Sequence, residues 1–167
     1  MIKSLIRILL LCAVTTLSAH AVLAADQNGD VILGTWVTEG GKSHVEITQQ
    51  NGHYEGRISW LKESDYPADD TQGMAGKPKI DRENPDRTLR SRPIIGLPLL
   101  SGFSYAGDGV WTDGNIYDPE SGKTYRCKMT LMLDGSLRVR GYVGISLFGR
   151  TTIWTRLPAA VAELPHP

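Results

Sequence analysis

Few side chains in this sequence stand in the arrangements that chemistry uses. His44 and Glu46 are two residues apart, as are His53 and Glu55, so in extended segments each pair would share a face in the manner of zinc ligands. No cysteine joins them, and exposed strand residues account for both pairs, so no metal site is expected. Asp118 and Glu120, in Tyr117-Asp118-Pro119-Glu120-Ser121-Gly122, bring two acids into one loop, as acid–base catalysis requires. Asp-Pro and Ser-Gly are also ordinary turn formers. Neither a Gly-x-Ser-x-Gly elbow nor a phosphate-binding glycine loop occurs. Cys127 has no histidine or carboxylate motif beside it and reads as a small buried apolar residue. These residues point to no enzyme and no cofactor.

The compartment bounds the partners. Lys3 and Arg7 give a positive start, Leu5 to Leu17 is mostly apolar, and Val22-Leu23-Ala24 precedes a cleavage point, so residues 1–24 read as a secretory signal. The apolar stretch is shorter than the roughly 20 residues of a spanning helix, and no second one follows, so no stable membrane insertion is expected. Leu11 precedes Cys12 where a lipoprotein signal needs a small residue. The expectation is a periplasmic or secreted monomer. Cleavage removes Lys3 and Arg7, leaving a formal charge of 16 minus 18, or −2, which gives no global attraction to nucleic acid. About 143 residues remain, enough for one domain over 25–157, followed by a flexible Ala/Pro-rich tail, 158–167, that holds His166.

Short alternating segments separated by turn residues predict strands near 33–39, 43–50, 53–61, 101–106, 110–117, 123–132, 136–145 and 149–157. Eight antiparallel strands closed into an up-and-down barrel would leave an interior that side chains fill or that holds one small ligand. Asn51-Gly52 suits a two-residue type I′ hairpin, pairing Val45 with Ile58, Ile47 with Gly56 and Gln49 with Tyr54. Glu46 then faces Arg57 as an expected cross-strand ion pair. At Leu133-Asp134-Gly135, a two-residue loop would set Leu131 against Arg138. A three-residue loop with Gly135 left-handed sets Leu131 against Leu137, Met129 against Val139 and Cys127 against Gly141, so one face stays apolar.

That parity argument defines two candidate surfaces. The inward residues Val45, Ile47, Tyr54, Ile58, Trp60, Tyr125, Met129, Leu131 and Val139 form the expected wall for a small apolar or amphipathic ligand. The outward face gathers Arg126, Lys128, Arg138 and Arg140, with Lys128 opposite Arg140. It could meet an anionic envelope component, or be a solvated face balanced by Glu63, Asp65, Asp69, Asp70, Asp81, Glu83 and Asp86. Those acids belong to a long loop, 62–92, between the third and fourth strands. Its first half, rich in Asp and Gly, favours mobility, whereas its proline-bearing second half reads as a packed flap with a helical turn from Asn84-Pro85-Asp86 to Leu89.

Two strings near the ends suggest how the barrel closes. Gly34-Thr35-Trp36 opens the first strand and Thr152-Ile153-Trp154-Thr155-Arg156 ends the last, so the Arg156 guanidinium can lie across the Trp36 indole. The pattern resembles the lipocalin and calycin superfamily. Further strings extend over about residues 31–157: Lys77-Pro78-Lys79, Asn84-Pro85-Asp86, Leu89-Arg90-Ser91-Arg92-Pro93, Gly96-Leu97-Pro98, Ile116-Tyr117-Asp118-Pro119, Gly122-Lys123-Thr124-Tyr125 and Val139-Arg140-Gly141-Tyr142-Val143-Gly144. Together they resemble the bacterial family of domain of unknown function 2147. That resemblance implies an exported lipocalin-like barrel and carries no catalytic residues. Relatives with this pattern often have cysteines around 50–55, where this chain has Gln50, Asn51, His53 and Glu55.

Overall fold

The computed structural model describes residues 28–144 and 149–158. The expected signal segment and nearly all of the expected tail lie outside these residues. Eight strands run in order, β1 (Gly34–Val37), β2 (Ser43–Gln50), β3 (His53–Leu61), β4 (Pro98–Gly107), β5 (Val110–Asp118), β6 (Lys123–Leu131), β7 (Leu137–Tyr142) and β8 (Gly149–Arg156). Each pairs antiparallel with its sequence neighbour, and β1 meets β8, so the sheet is a closed up-and-down barrel. Helical structure among the described residues is limited to short 3₁₀ segments at Gly29–Ile32, Glu39–Gly41 and Arg87–Leu89. None of the described helices is long and apolar enough to cross a membrane.

Turn chemistry sets the registers. Asn51 and Gly52 both have positive φ, 51° and 81°, as a type I′ turn requires. The pairs Val45–Ile58, Ile47–Gly56 and Gln49–Tyr54 follow. Gly135 has φ 80°, and Met132 donates to the Ser136 carbonyl at 2.8 Å, so Leu133-Asp134-Gly135 form the three-residue loop. Leu131–Leu137, Met129–Val139 and Cys127–Gly141 face one another as parity demanded. The expected Glu46–Arg57 ion pair is not what Arg57 makes: the two residues are opposite, but Arg57 Nη1 donates to the Gly96 carbonyl at 3.3 Å.

β4 begins at Pro98, earlier than expected, so the flap spans 62–97. A proline is tolerated there because the first residue of a strand can lack a ladder donor. The short closure of β1 on β8 involves Trp36–Arg156 and Val37–Thr155. Arg156 lies 4.4 Å over the Trp36 ring, donates to the Leu33 carbonyl at 2.7 Å and also bonds the Val31 carbonyl. Trp36 is fully buried and its indole N–H donates to Ile32 O at 2.8 Å. The 3₁₀ turn Gly29–Ile32 thus closes one end of the barrel, joined to it by the Tyr54 hydroxyl, which donates to Asp30 at 2.8 Å.

Candidate binding surfaces

The barrel interior is built from the alternate residues of every strand. Of the nine expected wall residues, Val45, Ile47, Tyr54, Ile58, Met129 and Val139 are buried. Leu131 is half-buried against the same core. Tyr125, opposite Ile116, is half-buried outside that cluster. Trp60 does not join the wall. Ser59 is the extra residue of a bulge, because Val45 pairs with Ile58 but His44 pairs with Trp60. One step from the buried Val45–Ile58 pair, Trp60 moves to the other face and stacks on His44 with ring centroids 4.4 Å apart. An odd residue in the ladder shifts parity, and no local sequence signal marks it.

Residues that were not foreseen as lining the interior occupy its middle. Trp111 and Phe103 are fully buried, and Leu100 nearly so. The Phe103 ring occupies space a side chain on Gly114 would need, 2.3 Å from where its Cβ would lie. Leu100 and Val45 crowd Gly56 in the same way, at 2.9 and 3.0 Å. These side chains fill the space beside the glycines of the neighbouring strands, and buried residues of all eight strands form one cluster. Trp111 packs against Tyr105 and the edge of Tyr54, with centroids 5.1 and 6.1 Å away, and its buried indole N–H has no hydrogen-bond acceptor. Burial raises the Tyr54 pKa, with the bond to Asp30 as a second cause.

The flap is tied to the barrel through a carboxylate. Asp81, completely buried, accepts from the Tyr117 hydroxyl at 2.6 Å, from Asn84 at 2.7 Å and from Arg92 Nε and Nη2 at 2.9 Å. Tyr117 is pushed up to about 12, first by burial and then by its bond to Asp81. The flap's first half is tied too, against the mobility its composition favoured. Asp70 accepts from the Gln72 and Met74 amides and pairs with Arg82 at 2.7 Å, which holds its carboxyl below the usual range. Arg82 in turn lies 4.3 Å over Tyr66. The turn expected at 84–89 is present as Arg87–Leu89, capped by Asp86, whose side chain accepts from the Thr88 amide. Ile94 and Leu97 pack on Ile58 of β3.

The outward face of β6–β8 is the other concentration of charge. Lys128 stands opposite Arg140, Thr130 opposite Arg138, and Arg140 opposite Thr151. These five residues line a surface groove of about 340 Å³, and none of them is acidic. Five of the seven acids that could have balanced it are engaged elsewhere: Glu63, Asp70, Asp81 and Glu83 pair with Lys79, Arg82 and Arg92 inside the flap, and Asp86 caps its helical turn, while Asp65 and Asp69 are exposed.

The remaining chemical candidates are dispersed. Cys127 is buried, and burial pushes its thiol up to about 12. Asp118 accepts from the Glu120 amide and the Ser121 hydroxyl, holding its own turn. His53 lies 3.4 Å from the Ser104 hydroxyl. Among the described residues no group of three or more His, Cys, Asp or Glu side chains could hold a metal ion.

The closed eight-strand barrel, plugged by an arginine over the tryptophan of its first strand, has the lipocalin-like form, a fold suited in general to binding small molecules. The chain belongs to the family described as "Uncharacterized protein conserved in bacteria (DUF2147)", whose model matches residues 34–156. It is similar to a solved protein from Helicobacter pylori, HP1028, described as belonging to the lipocalin family. The two share 25% identity, with 78% of this chain and 86% of that one covered and a TM-score of 0.65. No curated protein matches the chain.

Proposed function

We propose that this is an exported, monomeric binding protein, not an enzyme, whose ligand is an anionic component of the cell envelope held on the outer face of β6–β8. The observation that carries this reading is the groove of Lys128, Thr130, Arg138, Arg140 and Thr151, whose lining holds no acid, while five of the flap's seven acids are engaged within the flap. Cations concentrated in a concave site raise the local concentration of anions and orient them. Export rests on the N-terminal segment with Lys3, Arg7 and the apolar run Leu5 to Leu17.

A second reading places a small apolar or amphipathic ligand inside the barrel. The buried, unpartnered indole N–H of Trp111 favours it, since an acceptor on a ligand would satisfy that donor. Such a ligand must displace side chains that already form one buried cluster.

Native mass spectrometry of protein purified from its exporting host separates the two. An added mass lost in the Arg138→Glu/Arg140→Glu variant and kept in Met129→Leu supports the outer face. An added mass indifferent to those charge reversals, and extractable into organic solvent, overturns it in favour of the interior.

A further inference from the structure

Resting on the outer-face reading, we propose that the groove is a phosphate site, taking the phosphate group of a lipid headgroup or of a free phosphorylated molecule. The register fixes its layout. Lys128, Arg140 and Thr151 lie side by side across three strands, with Thr130 and Arg138 two pairs further along β6 and β7, on the same face. Neighbouring strands are about 4.8 Å apart, so the three cations fall within one compact grid.

Like charges directly opposite each other destabilise a sheet, and Lys128 facing Arg140 is such a pair. A small multivalent anion seated between them turns that repulsion into two attractions. Arg140 is already oriented toward β8, donating from Nη1 to the Thr151 hydroxyl at 2.8 Å. A phosphate monoester carries about −1.5 to −2 charge and three peripheral oxygens, and guanidinium forks match it bidentately. A single carboxylate has one charge and two oxygens for three cations. The groove's two threonine hydroxyls add donors of the kind a phosphate accepts. Beside this grid, Ile153 pairs with Arg138 and is 42% exposed, so one edge of the site is apolar.

The test is calorimetric titration of the full exported chain in phosphate-free buffer at constant ionic strength. The probes are pyrophosphate, inorganic phosphate and citrate, and flotation with phosphatidylcholine vesicles is run with and without phosphatidic acid, whose headgroup is a phosphate monoester. Saturable pyrophosphate or phosphate binding at least tenfold tighter than citrate, weakened tenfold or more in Arg140→Gln and Lys128→Gln, is the expected result. A structural lysine would not show the second signature: Lys128→Gln should also raise the ligand-free Tm by about 1–4 °C, because the opposed charges are gone. Vesicle binding that requires phosphatidic acid and is competed by pyrophosphate assigns the lipid source, and pyrophosphate binding without vesicle binding assigns the free one. Citrate binding as tight as pyrophosphate overturns the phosphate assignment while leaving an anion site on this face. Indifference of the wild type to every anion and vesicle, matched by Arg138→Glu/Arg140→Glu, overturns both.

Discussion

The flap and the β6–β8 face both concentrate charge and use it in opposite ways. In the flap each buried or half-buried ion is answered. Asp81 has donors on both oxygens, Arg82 and Arg92 each meet a carboxylate and an aromatic face, and Asp70 is held by two amides and a guanidinium. On the face, cations stand opposite each other around a groove with no acid in its lining. Satisfied charge that is closed off from solvent fixes one conformation, whereas like charge left at a concave surface is a standing invitation to a counter-charge. The flap's charges serve the fold, and binding on the other region is the proposal that the following experiments test.

The largest test of that division is at Asp81. Asp81→Ala leaves Arg92, Asn84 and Tyr117 without their shared acceptor, and should cost about 3–5 kcal/mol in urea unfolding. Susceptibility to proteolysis should rise within 62–97, while anion binding on β6–β8 is unchanged. If binding is lost with the flap intact, the two regions are one site. Removing both partners, Asp81→Leu with Arg92→Met, should cost much less than the sum of the singles, since no lone buried charge is left.

Alkaline pH comes next. Tyr117 and Cys127 have folded pKa values raised to about 12, above their ordinary 10 and 9. Both are neutral when protonated, so their contribution is complete below the unfolded values and disappears as pH rises from 9 or 10 through 12. Thermal unfolding should show stability falling across that window, less steeply in Tyr117→Phe. The native Cys127 thiol should stay unreactive toward a disulfide reagent at pH 8 and react on unfolding. At acid pH the sign reverses. The Asp70 carboxyl, lowered chiefly by Arg82, stabilises the fold above the usual carboxylate range and ceases to as pH falls through its depressed value. Loss of flap protection on acidification, seen by hydrogen exchange, should therefore precede any change on β6–β8.

The smallest effect has the opposite direction. Lys128→Gln should stabilise the ligand-free protein by about 0.2–1 kcal/mol by removing the repulsion across from Arg140. High salt should produce part of the same gain in the wild type and little in the variant. A destabilised Lys128→Gln would mean that the face is balanced within the fold.

Much of the barrel was legible because its determinants are local. Asn51-Gly52 and Gly135 set loop lengths, and alternation then fixed which residues face inward. Trp60 escaped because a bulge breaks that counting, and β4 began early because Gly96-Leu97-Pro98 looks like the end of a loop. The Glu46–Arg57 register was readable, but Arg57's choice of the Gly96 carbonyl depends on a flap residue 39 positions away. Asp81 was read only as one acid among seven, since its partners Arg92 and Tyr117 lie 11 and 36 positions along the chain. A signal was present: the strings Asn84-Pro85-Asp86, Arg90-Ser91-Arg92-Pro93 and Tyr117-Asp118-Pro119 contain Asn84, Arg92 and Tyr117. They hold the flap down.

The two-pair seam between β1 and β8 also dictates the order in which this protein can fold. Trp36, whose burial depends on a strand ending at Arg156, has no seat until more than a hundred further residues are available. A chain growing from its N-terminus keeps its first strand unclosed until its last one has emerged. Barrel closure is then a single late event with long loops to bring together, on the millisecond-to-second scale of β topologies with distant contacts. Up to that moment the neighbouring hairpins can pair, but the edges of β1 and β8 stay open.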